Sequence, residues 1–417
     1  MVLYHGEGPL RGGFYFALWF QRVREGWKRT RQLARPVKAR KIAATVACLH
    51  MNKPNFKIGS AMQIPSVPPL LGGDAVPLRC GDIIDDGNSF SRLERDAVMI
   101  PLQKLRVFDV PAIILGYCVD GKGLLPLFSV LYWCIDQHKC IVGIWLVPLS
   151  EIANGCVKWL IRRPRPAWVD GRIRLLAFSH EFSFPSSHAQ LAGAVAQFFV
   201  SASYHPEATS VTPAWPAYAF VAAVMLSRVH VGLHYPSDVV AGAAVGIISA
   251  AIYAKMVPAI FEIAPSEPGA LLAALAVPLV AAILALILCY RYAVATAPLD
   301  HHEWRRLACR GKYSARRLDP RGIPMGEYTG MLGVLTGLVI GVSFKQQHPL
   351  VFATDMHSSV ARGVLGNVGL MALFETIAFL TPERPLALYA SLRFLKYVMV
   401  PLYIIHLAPW LFARLGI

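Results

Sequence analysis

The feature that most constrains this chain is a series of apolar runs, each about as long as a bilayer is thick. Hydrophobic residues make up 55% of the 417 residues and charged residues only 16%. Crossing the hydrocarbon core takes about 20 apolar residues in a helix. The sequence therefore predicts an all-α, polytopic membrane protein. Its predicted helices lie at 110–133, 139–161, 187–204, 214–231, 237–257, 269–291, 328–344, 363–381 and 392–414. Asp120 and Lys122 interrupt the first run, which could form two short helices.

The chain divides into three parts. Residues 1–100 form a basic region rich in Pro, Gly and Arg that we expect to be largely disordered. Residues 101–260 carry the sequence motifs described below, and residues 261–417 hold further apolar helices around a basic loop at 291–327. The net charge of +16 is concentrated in the first part and in that loop.

Basic charge beside apolar helices favours the cytoplasmic side of a membrane or anionic lipid over nucleic acid. We therefore predict an integral, multi-pass protein that binds the bilayer and no nucleic acid. Alternation of the helices places all the motifs on one face, and the positive-inside rule makes that face cytoplasmic. The compartment stays open between the endoplasmic reticulum or another endomembrane in a eukaryote and the plasma membrane in a bacterium. The oligomeric state is also open.

The eight cysteines are scattered, and none forms a CxxC pair. This spacing is not that of a disulfide framework or a zinc ribbon. We expect the cysteines to act as small buried hydrophobic residues.

The first motif combines two cations with two prolines. Lys158 and Arg165 are seven residues apart, so both would project from one helix face if the helix continued that far. Pro164 and Pro166 break the helix at its membrane end. Arginine offers a planar fork for phosphate, whereas lysine acts as a point charge. The alternative is that these cations simply reach from the membrane interface into water.

The second motif, Pro185–Ser186–Ser187–His188, opens a predicted helix. Free backbone N–H groups and the helix dipole make such an end a binding site for anions. His188 could then protonate a leaving alkoxide. Alone, the motif would be an ordinary helix cap.

The third motif supplies a candidate nucleophile. Arg228 ends one predicted helix, His234 precedes the next, and Asp238 lies one turn beyond His234. We expect Asp238 to accept a hydrogen bond from Nδ1 of His234, which leaves Nε2 free to attack phosphorus. His230 and His234 have the i,i+4 spacing of a metal-binding pair. The glycine between them and the proline that follows argue against one continuous helix across both.

Together the motifs resemble the type-2 phosphatidic acid phosphatase/haloperoxidase superfamily, whose signature is KxxxxxxRP, PSGH and SRxxxxxHxxxD. The sequence departs from this signature only at Ser187, where the family usually has Gly. The resemblance implies a six-helix catalytic core within 101–260, followed here by about three additional transmembrane helices. It also implies one role for each matching residue: His234 as nucleophile, Asp238 as its orienting group, His188 as general acid, and Lys158, Arg165, Ser186, Ser187 and Arg228 as the phosphate pocket.

The expected function is hydrolysis of a lipid phosphate monoester through a phosphohistidine. The lipid could be a sphingoid-base phosphate, a phosphatidate or an isoprenoid phosphate. The stretches 133–136 and 184–190 look similar to the sphingosine-phosphate phosphatase-like branch. Three alternatives remain: an isoprenoid diphosphate phosphatase, a lipid phosphotransferase and a non-catalytic transporter or scaffold. Vanadium haloperoxidases share the pocket, but they are soluble proteins.

No cofactor and no metal are expected. The sequence offers no cluster of carboxylates to hold Mg²⁺ near the three cations. Asp238 is assigned to His234, and we expect Glu151 to be a partner of Lys158. The positive charge of the protein itself would then stabilise the transition state.

Overall fold

In a computed structural model, the chain is described at residues 88–203, 213–263, 268–296, 323–344, 355–382 and 385–417. Within these residues the regular structure is helical and contains no strand, which confirms the all-α prediction. In chain order the helices are α1 (Ser89–Leu93, continued by Glu94–Met99 and Ile100–Leu102), α2 (Asp109–Cys118), α3 (Gly121–Val130, continued by Leu131–Ile135), α4 (Gln137–Ile144), α5 (Leu146–Ile161), α6 (Pro166–Val169), α7 (Ser187–Ser203), α8 (Trp215–His230), α9 (Pro236–Ile263), α10 (Pro268–Thr296), α11 (Ile323–Ser343), α12 (Met356–Leu380), α13 (Leu386–Leu402, continued by Tyr403–Leu407) and α14 (Ala408–Leu415).

Several of these helices have the length and polarity of membrane spans. Four helical stretches of the described residues are long and apolar enough to cross a bilayer: Gln137–Val169, Pro236–Met256, Met356–Leu380 and Leu386–Leu415. A bent pair, Arg106–Cys118 with Gly123–Ile135, raises the number to five if it forms one span. Large apolar side chains on these stretches face outward, for example Ile248 at 60% exposure and Val368 at 64%. A lipid environment explains an outward face of this kind.

The first predicted run is two helices, as its charges suggested. The carboxylate of Asp120 accepts a hydrogen bond from the backbone N–H of Gly121 at 2.7 Å and begins α3 there. A charged capping residue replaces the backbone partners that a helix start lacks. The bend between the two helices is 53°.

The prediction for the amino-terminal region needs a correction. Residues 1–87 lie outside the described part, but Ser89–Leu102 is helical and was wrongly included in the disordered region. Two of its charged side chains are buried, since Glu94 is 5% exposed and Arg95 is fully buried. Both pair with groups beside the site described below. Sequence reasoning missed this helix because its buried face is polar and gives no apolar periodicity.

Helices α7 and α9 pack closely because glycines line their contact. A Cβ at Gly246 would overlap the carbonyl oxygen of Gln190, and one at Gly242 would overlap that of Ser186. On the facing helix, a Cβ at Gly193 would come 2.7 Å from the oxygen of Ala243. Small residues let membrane helices approach to backbone contact. This approach brings the start of α7 beside the start of α9, where the second and third motifs lie.

A second glycine stripe joins α11 to α13. Positions 326, 330, 333, 337 and 341 of α11 each face a side chain or carbonyl of α13 or its continuation. Trp133 of α3 joins the carboxyl-terminal helices to the rest of the chain. Its ring lies over Gly366 of α12, and its Nε1–H donates to Ile404 O, in the continuation of α13, at 2.9 Å. The carboxyl-terminal helices are therefore built onto α3 and not merely tethered to it.

The α7–α9 contact predicts a specific weakness at Gly246. Changing Gly246 to Ala adds one methyl group against a backbone oxygen that cannot rotate away. We expect a loss of about 1–3 kcal/mol of stability, measured as a lower melting temperature of the detergent-solubilised protein. The control is Gly363→Ala in α12, where the added Cβ would meet side-chain atoms at 3.8 Å and 3.9 Å. Equal melting temperatures for the two variants would contradict the close contact.

Candidate active site

The motif residues meet at a cavity of about 560 Å³. One side of the cavity is basic, and it contains six of the eight predicted site residues: Lys158, Arg165, Ser187, His188, Arg228 and His234. They come from the end of α5, the start of α7, the end of α8 and the loops between. Helix ends thus bring together groups up to 76 positions apart in sequence, as the motif order predicted.

The first motif is not one continuous helix. Helix α5 ends at Ile161 because Arg162 takes a left-handed conformation, with φ of 56°. Lys158 therefore lies on the last turn of α5, whereas Arg165 directly precedes the short helix α6. Both are 2% exposed, so the alternative that they reach out to water is wrong.

His234 is fixed in the tautomer that a nucleophile needs. Its Nδ1 lies 2.8 Å from the carbonyl oxygen of Ser183, which only accepts hydrogen bonds. Its Nε2 lies 3.0 Å from a guanidinium nitrogen of Arg165, which only donates. The two partners together require a proton on Nδ1 and a lone pair on Nε2. Nε2 therefore carries a lone pair and lies beside the guanidinium of Arg165.

The predicted contact between Asp238 and His234 is wrong in its detail. Asp238 Oδ2 lies 3.8 Å from His234 Nδ1, too far for a hydrogen bond. This oxygen instead accepts from Ser183 Oγ at 2.5 Å and from the backbone N–H of Tyr235 at 2.9 Å. Asp238 thus orients His234 indirectly, by holding Ser183 and the backbone next to His234. The i,i+4 spacing suggested a direct contact, but a carbonyl from a distant loop takes that place.

Arg163 is a site residue that sequence reasoning missed. It donates to Asp238 Oδ1 at 2.5 Å and to Glu94 Oε2 at 2.8 Å, and its guanidinium lies 3.9 Å from the centre of the Tyr235 ring. It therefore joins α1, the first motif and the third motif. The missed signal was an additional arginine between Lys158 and Arg165, which resembled charge at the membrane interface. Its partner Glu94 lies outside every motif.

Ser186 was predicted to bind phosphate, but it does not line the cavity. It is fully buried, its N–H donates to Asp238 O at 3.1 Å, and its Oγ lies 3.5 Å from the N–H of Ala189. It therefore caps α7 and links that helix to α9. Ser187 and His188 do line the cavity, and His188 makes no hydrogen bond to the described residues. Its ring is therefore available to a bound molecule.

Lys158 is paired with Glu181, and not with Glu151 as expected. Lys158 Nζ lies 2.7 Å from Glu181 Oε2. Burial alone would raise the pKa of Glu181, but the neighbouring Lys158 and His180 lower it below its usual value. Glu181 is therefore an ionised counter-charge in the phosphate pocket. It lies in the loop between α6 and α7, where no motif pointed to it.

Arg228 has a buried hydrogen-bond donor that an anion could satisfy. It is 6% exposed, and its Nε is buried without a hydrogen-bond partner among the described residues. A Cβ at Gly116 of α2 would overlap its guanidinium, so the guanidinium lies directly on that helix. A buried, unsatisfied donor is costly. A bound phosphate oxygen would satisfy it.

The lining of the cavity also includes acidic residues, Arg393 and parts of the carboxyl-terminal helices. Asp120, Glu151 and Glu327 line the cavity, together with Tyr328 and Tyr397. Glu151 accepts no hydrogen bond from the described residues. No group of three His, Cys, Asp or Glu side chains within the described ranges has the arrangement of a metal site. His230, the suggested metal partner of His234, instead lies 2.8 Å from Asp109 Oδ1.

Comparison with known proteins agrees with this geometry. Residues 141–262 match the PAP2 superfamily, and residues 329–417 match the transmembrane extension of PAP2 superfamily phosphatases. The chain belongs to the PAP2 superfamily. It is an integral-membrane member, since its extension is a transmembrane one. The six predicted site residues that line the cavity all lie within residues 141–262.

Relatives with established names include enzymes for different substrates. Glucose-6-phosphatase 3 of Homo sapiens is 24% identical over 320 residues, covering 70% of this chain and 86% of the relative. The Bos taurus protein of the same name is 23% identical over 316 residues, with the same coverage. Probable lipid phosphate phosphatase beta of Arabidopsis thaliana is 30% identical over 122 residues, covering 23% of this chain and 55% of the relative. Among solved structures, Aquifex aeolicus LpxE shares 24% identity, with a TM-score of 0.34, and the match covers 42% of this chain and 99% of that one.

The environment of His234 predicts the pH dependence of catalysis. Burial, followed by the nearby positive charges of Arg165 and Arg228, holds the pKa of His234 well below its usual value. The neutral nucleophile should therefore persist as the pH falls. With p-nitrophenyl phosphate, whose leaving group needs no proton, kcat/KM per substrate dianion should stay constant from pH about 7.5 to about 6. A decline centred near pH 6.5, as for an ordinary histidine, would contradict this environment.

Proposed function

We propose that this protein hydrolyses a lipid phosphate monoester through a phosphohistidine on His234, with no metal ion. The observation that carries the proposal is the pair of contacts that fixes the Nδ1–H tautomer of His234 beside three buried cations. A neutral imidazole at a pocket for dianions is suited to nucleophilic attack on phosphorus. The lipid class is the part of the proposal that the membrane location supports.

The first chemical step transfers the phosphoryl group to the enzyme. The phosphate oxygens lie between Arg228, Lys158 and Arg165, whose positive charge offsets the charge of the transition state. Arg165 gives up its contact with Nε2 as it takes a phosphate oxygen. Nε2 then forms a bond to phosphorus while the ester P–O bond breaks. The negative charge of the bound phosphate favours the protonated form of His188, and the leaving oxygen takes a proton from it.

The second step releases the phosphate. His188, now neutral, accepts a proton from water, and the water oxygen attacks phosphorus. The bond between Nε2 and phosphorus breaks, so His234 recovers its lone pair and inorganic phosphate is released. If an alcohol takes the place of water, the same chemistry gives the phosphotransferase alternative.

A second candidate substrate is the phosphate ester of a water-soluble polyol. Three acidic residues of the cavity lining, Asp120, Glu151 and Glu327, favour it, because carboxylates accept hydrogen bonds from hydroxyl groups. The similarity to glucose-6-phosphatase 3 covers most of this chain and supports the same candidate. An alkyl chain without hydroxyl groups would leave these acceptors unsatisfied.

The mechanism predicts different losses for the two histidines. His234→Ala should abolish turnover and phosphoenzyme formation while the protein remains folded. His188→Ala should slow an alkyl phosphate by about 10²–10⁴-fold but affect p-nitrophenyl phosphate much less, because only the alkoxide needs a proton. Acid-quenched labelling with ³²P-substrate measures the phosphoenzyme. Near-normal turnover by folded His234→Ala would refute the nucleophile, and equal losses on both substrates would refute His188 as the acid.

A substrate panel decides between the candidates and tests metal independence. Purified full-length protein would be assayed in excess EDTA against a sphingoid-base phosphate, a phosphatidate, an isoprenoid monophosphate, an isoprenoid diphosphate and a hexose phosphate. We expect activity to survive EDTA, and orthovanadate to inhibit it. Preference for the hexose phosphate would select the second candidate, and preference for the diphosphate would select the diphosphatase alternative. Strict dependence on Mg²⁺ without vanadate inhibition would refute the chemistry.

A further inference from the structure

One short segment, residues 180–183, supports most of the basic side of the cavity. The carbonyl oxygen of Glu181 accepts from Arg165 Nε at 2.7 Å, and that of Phe182 accepts from the same guanidinium at 3.2 Å. The Glu181 carboxylate holds Lys158, and the Ser183 carbonyl oxygen holds His234. Any displacement of this segment would therefore move two phosphate cations and the nucleophile together.

The segment is tied to α11, the first helix of the carboxyl-terminal group, at two points. Tyr328 Oη donates to Glu181 Oε1 at 2.5 Å, while the other carboxylate oxygen faces Lys158. One residue earlier, Glu327 Oε2 lies 3.0 Å from His180 Nε2. The segment that holds the catalytic groups is thus held in turn by two residues outside the range that matches the PAP2 domain.

Tyr328 is buried and closely packed against its neighbours. It is 3% exposed, and its ring meets that of Trp159 edge to face, with centroids 4.8 Å apart. A Cβ at Gly155 of α5 would overlap the ring, so the ring lies directly on the helix that carries Lys158. Tyr328 is therefore fixed relative to Lys158, and its hydroxyl fixes the carboxylate between them.

This geometry matters for phosphate because a lysine ammonium has only three N–H donors. Held at both oxygens, Glu181 takes one donor of Lys158 from a constant direction and leaves the others for a phosphate. With the Tyr328 hydroxyl removed, one carboxylate oxygen is left without its donor. The carboxylate could then rotate towards the nearby guanidinium groups and compete with the phosphate for them.

We propose that Tyr328 is a positioning residue that acts through Glu181 to hold Lys158 in the geometry that binds the phosphoryl group. Helix α11, which enters the range matching the transmembrane extension at residue 329, then helps to position the phosphate site and is not only a membrane anchor. This inference rests on the proposed function for its meaning, but it concerns the anion pocket alone and can be measured there.

The experiment is a double-mutant cycle on the full-length protein in detergent, with orthovanadate as the probe. The dissociation constant is measured directly for the wild type, Tyr328→Phe, Glu181→Gln and the double variant. Tyr328→Phe removes the hydrogen bond to the charged carboxylate of Glu181. This loss should weaken vanadate binding by about tenfold. Both changes break the same connection. The double variant should therefore bind vanadate only slightly less tightly than the single variant with the lower affinity.

The matched control is Tyr403→Phe. Tyr403 also belongs to the carboxyl-terminal helices and loses one hydrogen bond, from its Oη to Gly366 O at 3.0 Å, but it does not line the cavity. Its vanadate affinity should stay within about twofold of the wild type. If Glu181→Gln does not fold, Glu181→Asp takes its place, since it keeps the charge beside Lys158 and shortens the reach to Tyr328.

Four results would overturn the inference. Equal weakening by Tyr403→Phe and Tyr328→Phe would show a general effect of helix packing. Multiplicative effects in the double variant would show that Tyr328 acts independently of Glu181, for example by direct contact with the ligand. Unchanged affinity in Tyr328→Phe, or no vanadate binding by the wild type, would also reject it. A wild type that binds vanadate but cleaves no phosphate ester would refute the proposed function, and the cycle would still decide the role of Tyr328.

Discussion

The structure depends on how it holds three cations and two histidines together in a space shielded from water. Lys158 and Arg165 are each 2% exposed, and Arg228 is 6% exposed. Removing charges from water costs free energy unless partners compensate. The compensation here is unequal. Lys158 has a carboxylate and Arg165 has three carbonyl oxygens, whereas Arg228 keeps a buried donor without a partner among the described residues. The site is therefore preorganised for an anion and incompletely satisfied without one.

The same principle explains why His234, the proposed nucleophile, is held neutral. A protonated imidazole beside these cations would add a further positive charge to a pocket that already has an excess. The protein instead gives Nδ1 a carbonyl oxygen and gives Nε2 a guanidinium donor. Asp238 does not face the imidazole directly, and its charge is taken up by Arg163. Asp238 orients the imidazole of His234 indirectly, through Ser183. It therefore raises the basicity of the ring less than a direct contact would.

The sequence was sufficient to predict the helices and the cations but not the connections between them. Apolar runs of bilayer length identified most helices, and the spacing of Lys158, Arg165 and His234 identified the cavity that contains them. The partners that hold these groups, Glu181 and Ser183, lie in an irregular loop that has no periodicity. Arg163 and Glu94 pair across 69 positions, and no local pattern encodes such a pairing. Long-range hydrogen bonds to loop backbone depend on the tertiary fold, so residue spacing could suggest Asp238 and Glu151 as partners but could not exclude other residues.

The cavity combines two kinds of constraint that come from different parts of the chain. Its basic side lies within and beside the range that matches the PAP2 domain, where helix ends fix cations and a nucleophile for any phosphate ester. The rest of its lining includes Glu327, Tyr328 and Tyr397 from the carboxyl-terminal helices. A phosphate group is the same in every candidate substrate, so the basic side cannot distinguish them. Discrimination has to come from what the alcohol part meets, and that surface is shared by α3, α5 and the extension. Under the proposed mechanism, a change in the extension would therefore alter the choice of substrate and leave the chemistry at His234 the same.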